Sequence, residues 1–234
     1  MTTTVKMDLW RGMIAGLPFV IVIGPFALLF GVVGTEAGLN IAEVMGFSVL
    51  VIAGASQFAA LQLMEENAPT VIILATALAV NLRMAMYSAA LVPYLGQASL
   101  LRRALAAYFL VDQSFSVAYA KFENDPEMSV ANRYAFFFGV MIPVCPCWYA
   151  LTLIGAIVGK RIPPEFALDF AVPITFLAIV APMLRTLAHV VAAFTSIVLA
   201  LLFKDLPFSS GLLVAAFFAM IAGAATETWM KRRS

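Results

Sequence analysis

Charged side chains are scarce in this chain of 234 residues, since Asp, Glu, Lys and Arg together make up only 12% of it. That is about half of their share in soluble domains. So few charges could not cover a water-exposed surface, which excludes a cytosolic enzyme and a disordered chain. The 14 basic residues barely outnumber the 13 acidic ones, so no basic face is available for nucleic acid. With two cysteines, a disulfide-rich secreted module is also excluded.

Apolar residues are abundant, at 63% of the chain. A helix needs about 20 of them to cross the hydrocarbon core of a bilayer, and eight stretches of roughly that length can be read. They are continuously apolar and do not alternate, which favours helices over a β-barrel. We therefore predict one all-α, polytopic membrane domain over residues 1–234. Stretches one to eight are Gly12–Val33, Val44–Met64, Thr70–Leu91, Ala104–Ala120, Tyr134–Val158, Phe166–Leu184, Thr186–Phe203 and Phe208–Ala225.

The two halves of the chain, about residues 10–95 and 130–205, are weakly similar. The run AGASQFAA in stretch two can be laid over AVPITFLA in stretch six. Both runs hold helix-interrupting residues in mid-stretch, so we predict broken or re-entrant helices around residues 54–57 and 172–175. Broken apolar segments at matching positions are typical of a transporter's binding site. An accidental likeness among Gly, Ala and Pro is the alternative.

The basic residues in the connections favour one topology. If all eight stretches cross from a cytoplasmic N-terminus, 8 basic residues lie inside and 5 outside, not counting Arg83. If residues 44–64 and 166–184 are re-entrant, the numbers become 10 and 3, which agrees better with the positive-inside rule. This topology makes the halves inverted. We predict it, with six to eight embedded segments and both termini cytoplasmic; fully crossing but unwound helices are the alternative.

The break in stretch two offers backbone N–H groups, a hydroxyl and an amide, and its residues are Gly54, Ala55, Ser56 and Gln57. A half-helix that starts here points its positive end at a ligand, which suits a carboxylate. Pro173 and Thr175 are the counterparts in stretch six, and we predict that both breaks line a substrate site. The alternatives are close packing of small residues in stretch two and a simple proline kink in stretch six.

Arg83 lies in the middle of stretch three, where a charge costs at least about 2.5–3.5 kcal/mol on insertion scales. It must therefore face protein or water, and Asp112 in stretch four is its natural partner. The pair is either a structural ion pair or part of a substrate or proton site. Asn81 and Tyr87, six residues apart on stretch three, either line the same path or bond a neighbouring helix.

Residues for metal binding or catalysis are few. Cys145 and Cys147 flank a proline, but no second Cys or His cluster completes a metal site, and His189 is the only histidine. No H-E-x-x-H, Walker A or Rossmann pattern occurs. We therefore predict that the protein is not an enzyme and uses no metal or cofactor.

Three motifs resemble the AzlC family of branched-chain amino acid permeases, and in chain order they are IAGASQFAAL (Ile52–Leu61), NLRMAMYSAALVPYL (Asn81–Leu95) and DQSF (Asp112–Phe115). The resemblance covers about residues 10–205. It implies a bacterial inner-membrane exporter of valine, leucine, isoleucine or related compounds, working with a small membrane subunit of the AzlD type. The matched positions are Gly54, Ser56, Gln57, Asn81, Arg83, Tyr87 and Asp112.

Two positions depart from that family. Met84 stands where many members have a histidine, and Gln113 stands where many have a glutamate. Proton coupling, which the family resemblance makes possible, is in doubt if either family residue carries the proton. A channel-like pore subunit and a non-transporting scaffold subunit are the alternative functions.

Overall fold

The computed structural model describes residues 4–159, 184–206 and 210–232, together with Leu177. In these ranges the chain forms helices and turns and no strand, so the all-α prediction is confirmed there. The helices are α1 Val5–Glu36, α2 Ile41–Leu50, α3 Gly54–Glu65, α4 Thr70–Leu95, α5 Leu100–Tyr108, α6 Asp112–Asn124, α7 Val130–Gly159, α8 Leu187–Leu202 and α9 Ser210–Lys231.

Four of these helices, α1, α4, α7 and α9, are long and apolar enough to cross a membrane. They contain most of stretches one, three, five and eight. The predicted break at 172–175, with Pro173 and Thr175, lies outside the described residues. The number of spans and the internal repeat therefore stay predictions.

The chain divides into two compact units, residues 1–57 with 80–166 and residues 58–79 with 167–234. In the second unit, α8 and α9 pack against each other. Their backbones approach at Gly223, where an added Cβ would lie 3.1 Å from the Cβ of Ala192. The candidate site lies in the first unit.

In the first unit, α1 and α7 pack side by side along their length. Gly12 lies against Gly139 near the start of both helices, and Gly31 lies against Gly155 near their ends. A Cβ on any of these four glycines would collide with backbone of the facing helix. Small residues allow such close approach, which drives helix association in lipid. The order of the contacts shows that α1 and α7 run parallel.

Stretch two is broken, close to where the sequence predicts it. The capping box at Asn40 and Glu43, with bonds of 3.1 and 2.8 Å, starts α2. The helix ends at Leu50, and Val51 is extended, with φ −132° and ψ 94°. After the non-helical residues 51–53, α3 begins at Gly54. The break thus lies just before the predicted residues 54–57.

Stretch four was predicted as one span and is instead two short helices, α5 and α6. The Ser114 hydroxyl accepts a hydrogen bond from the Val111 N–H at 2.9 Å and lies 2.9 Å from the Phe109 carbonyl, to which it donates. These bonds hold the bend between the helices. With 9 and 13 residues at about 1.5 Å each, neither helix reaches across a core of about 30 Å.

The two ends of stretch four lie at the same end of the first unit. The Tyr134 hydroxyl donates to the Leu95 carbonyl at 3.0 Å, which places the start of α7 beside the end of α4. We call this end of the first unit the basic end. Six basic residues lie there, near the starts of α1, α5 and α7 and near the end of α6, and they are Lys6, Arg11, Arg102, Arg103, Lys121 and Arg133. Because α5 and α6 connect α4 to α7, they leave the basic end and return to it.

This bend corrects the predicted direction of stretch five. Inverted halves require stretches one and five to run antiparallel, but α1 and α7 run parallel. The prediction of inversion is wrong for this pair, because it assumed that stretch four crosses from one side to the other. The same assumption placed Lys121 and Arg133 opposite to Arg103, whereas all three belong to the basic end.

Candidate functional site

The two helix breaks of the first unit meet at the middle of α4. The Asn81 side-chain amide donates to the Ser56 hydroxyl, in the first turn of α3, at 3.0 Å. Two residues further along α4, Arg83 Nη1 lies 3.0 Å from the carboxylate of Asp112, the first residue of α6. One turn of α4 therefore contacts the N-terminal turns of both half-helices.

Asp112 is held by two side chains of α4. Its Oδ1 accepts a hydrogen bond from the Tyr87 hydroxyl at 2.9 Å, while its Oδ2 pairs with Arg83. Arg83 and Tyr87 are four residues apart and so share a helix face. The Tyr87 ring stacks on Phe115, with 4.1 Å between the ring centroids. The Arg83 side chain is 32% exposed and the Asp112 side chain is 43% exposed. The ion pair is therefore only partly covered by other residues of the chain.

The start of α3 presents backbone donors. Within α3, the first N–H that bonds back along the described chain is that of Gln57, which donates to the Ala53 carbonyl at 3.1 Å. The N–H groups before it have no acceptor within the helix. The Ser56 hydroxyl does not cap them, because it donates to the Ala53 carbonyl at 2.9 Å. An uncapped N-terminus carries partial positive charge and suits an anion.

A buried row of polar side chains extends from α3 towards α7. The Gln57 amide, 1% exposed, donates to the Ser48 hydroxyl at 3.3 Å, and Ser48 lies 3.5 Å from the hydroxyl of Thr152. Within the described residues, Gln57 Oε1, Asn81 Oδ1 and Arg83 Nε are buried without a hydrogen-bond partner. Buried polar atoms are usually paired. Gln57 Oε1 and Asn81 Oδ1 are acceptors and Arg83 Nε is a donor, so three polar atoms beside the breaks are left unpaired by the described residues.

An apolar cluster borders both breaks. Ile52 of the first break and Phe109 and Val111 of the second pack against α7 around Trp148. The Phe26 ring of α1 lies 6.2 Å from that of Trp148, between centroids. The polar side chains at the two breaks therefore lie next to an apolar cluster.

A tyrosine joins the two breaks. The Tyr108 hydroxyl, at the end of α5, donates to the Val49 carbonyl at 2.6 Å and lies 3.1 Å from the Tyr149 hydroxyl. Val49 is in the last turn of α2, where carbonyl groups lack helical donors. Tyr108, Ser48 and Thr152 were not predicted from the sequence. The only sign of them in the sequence is that each carries a hydroxyl group within an apolar stretch.

The predicted site residues of the first half come together, in two groups joined by α4. Gly54, Ala55, Ser56 and Gln57 start α3 beside Asn81, while Arg83, Tyr87 and Asp112 form the second group. Cys145 and Cys147 are free thiols on α7. The described ranges hold no group of three or more His, Cys, Asp or Glu residues able to bind a metal ion.

The chain is similar to known membrane proteins. Residues 18–162 match the protein family described as AzlC protein. An uncharacterized membrane protein of Archaeoglobus fulgidus is 29% identical over 223 residues, which cover 94% of each chain. The inner membrane protein YgaZ of Escherichia coli is 29% identical over 168 residues, which cover 69% of this chain and 67% of its own. No solved structure matches.

Proposed function

The chain belongs to the AzlC family, and from this premise we propose that it exports branched-chain or related aliphatic amino acids across the bacterial cytoplasmic membrane. In this proposal it is the large subunit of a two-component exporter, whose partner is a small membrane subunit of the AzlD type. The observation that carries it is the start of α3, whose Ser56 bonds Asn81 on α4 next to the apolar cluster, two residues before the Arg83–Asp112 pair.

The substrate's three parts find matching chemistry in this site. The carboxylate meets the free N–H groups at Gly54 and Ala55, and the ammonium group meets the unpaired oxygens of Gln57 and Asn81. The aliphatic side chain lies against the apolar cluster around Trp148. One methylene is worth only about 1–3 kcal/mol in such a pocket, so selectivity among valine, leucine, isoleucine and methionine is modest.

Asp112 is the group that would couple export to protons. In its charged form it holds Arg83 and Tyr87, and protonation would release the guanidinium to the substrate carboxylate. This role does not need the family's histidine or glutamate, for which this chain has Met84 and Gln113.

The topology that accompanies this function puts the basic end in the cytoplasm, following the positive-inside rule. Single cysteines at Arg103 and Glu123, on either side of the bend in stretch four, are then expected to react with a membrane-impermeant maleimide from the cytoplasmic side. A cysteine at Ala37, after α1, is the control and reacts from the other side. Labelling of positions 103 and 123 from opposite sides would contradict a re-entrant α5–α6 segment.

Export itself is tested by counterflow of radiolabelled leucine in proteoliposomes, with and without the small partner subunit. A carrier is expected to show saturation and exchange with unlabelled valine and isoleucine. A channel-like pore would instead give electrical conductance without counterflow, and a scaffold would leave transport by the complex intact in Gln57→Ala. Folded protein that exchanges no aliphatic amino acid would reject the proposal.

A further inference from the structure

A groove apart from the two breaks runs along the last part of α4, between α5 and the start of α7. Its floor is apolar and deep, since Leu91 and Leu95 are 4% and 6% exposed and Phe137 is fully buried. Val92, at 59% exposed, forms its rim. The groove is therefore open to whatever surrounds the first unit, and its bottom is hydrophobic.

The charge of the groove is positive. Among the described residues that line it, Arg103 is the one charged residue, and Arg102 precedes it on α5. Both are exposed, and neither forms an ion pair with any residue in the described ranges. A ligand for this groove must therefore supply an anion.

The polarity of the groove changes with depth. Arg103, Gly96 and Tyr134 lie at the basic end, where α4 ends, and Ser88 lies two turns back along α4, about 12 Å from that end along the helix axis. At the start of α5, Leu100 and Leu101 are 78% and 71% exposed, as in a helix placed at the lipid interface. Charge at the surface and apolar floor below match an amphiphile with an anionic head.

We propose that this groove binds one anionic phospholipid of the basic-end leaflet. Its phosphate pairs with Arg103 and Arg102, and an acyl chain lies over Leu91, Leu95 and Phe137. Basic pockets between membrane helices are a known type of site for anionic headgroups. An apolar helix seated here would bury Arg103 without a counter-ion, whereas the lipid brings the counter-ion with it.

The test uses the purified full-length chain in detergent, titrated with dioleoyl phosphatidylglycerol or dioleoyl phosphatidylcholine while the thermal unfolding midpoint is followed. Phosphatidylglycerol is expected to raise the midpoint, and phosphatidylcholine is not. In Arg102→Gln/Arg103→Gln the half-maximal concentration of phosphatidylglycerol should rise at least about fivefold. Lys6→Gln, a charge of the same end outside the groove, is the control and should titrate like wild type.

A second variant, Val92→Trp, fills the groove from its rim and keeps both arginines. It should lose the phosphatidylglycerol shift as well, with an unchanged midpoint in detergent alone. Equal shifts by the two lipids, or equal losses in Lys6→Gln and the arginine variant, would overturn the proposal. So would a photo-crosslinker at Val92 that captures a second polypeptide and no lipid. None of these outcomes depends on which substrate the protein exports.

Discussion

Replacing Arg83 with alanine is expected to abolish most amino acid export while leaving the protein folded. The guanidinium and the Asp112 carboxylate are both partly exposed, at 32% and 43%, so removing one of them does not leave a fully buried charge. Losing such a pair costs about 0–1 kcal/mol of stability. Losing a charge-assisted hydrogen bond to the substrate costs about 1.5–3 kcal/mol of binding free energy, which weakens substrate affinity roughly 10- to 150-fold. Leucine counterflow and thermal unfolding measure the two effects separately.

The chain holds a matched control for this substitution. Lys121 and Asp125 form an ion pair of 3.1 Å, with 28% and 41% exposure, at the basic end and away from the two breaks. Lys121→Ala should therefore have the same small effect on unfolding and none on counterflow. If Arg83→Ala and Lys121→Ala both leave transport intact, the Arg83–Asp112 pair is a structural link between helices.

The double variant Arg83→Ala/Asp112→Ala separates the remaining possibilities. If the single substitution acts only by leaving Asp112 uncompensated, removing both charges restores export. If Arg83 binds the substrate or Asp112 carries the proton, the double variant stays inactive although it folds. We expect the second result, because Arg83 Nε is buried and unpaired within the described residues while Nη1 holds Asp112.

The pairing of Arg83 with Asp112 could be predicted because few ionisable groups lie in the middle of apolar stretches. A charged side chain in an apolar stretch needs a partner of opposite charge, and Arg83 and Asp112 have opposite charges. Ser48 and Thr152 could not be predicted in the same way. A hydroxyl in an apolar stretch can bond to its own helix, so its presence does not reveal that Ser48 of α2 contacts Gln57 of α3 and Thr152 of α7.

The break in stretch four carried a signal that the hydropathy reading missed. Phe109, Leu110 and Val111 are apolar, so the stretch appears continuous. Asp112 and Ser114 are, however, residues typical of a first helical turn, and the Ser114 hydroxyl does bond the Val111 N–H. Because the start of α6 was not recognised, stretch four was predicted to cross the membrane as one helix. The predicted direction of stretch five was wrong as a consequence.

The position of the break in stretch two depends on tertiary packing. The sequence pointed to 54–57 because of its small and polar residues, but the non-helical residues are Val51, Ile52 and Ala53. Gly54 lies so close to the Phe26 and Trp148 rings that an added Cβ would collide with both. The sequence shows that a glycine is present at this point, but it does not show which rings surround it.

Gly54→Ala should accordingly remove export, with the largest effect of any single methyl group added at the site. The new Cβ would lie 2.9 Å from Trp148 and would overlap Phe26, so the rings or the start of α3 must move. Overpacking of this kind costs about 1–3 kcal/mol of stability. The start of α3 also holds the N–H groups that we propose meet the substrate carboxylate, so shifting it should lower leucine counterflow more than tenfold, as for the loss of one hydrogen bond to a charged group.

Gly46→Ala is the matched control, because Gly46 lies on α2 of the same broken stretch and an added Cβ there meets nothing within 4 Å. Alanine is a better helix former than glycine by about 1 kcal/mol, so this variant should unfold at a higher temperature and export normally. Leucine counterflow at the wild-type rate in Gly54→Ala would show that substrate does not reach the backbone at this break. The carboxylate would then have to be held elsewhere, and Arg83 is the nearest remaining cation on α4.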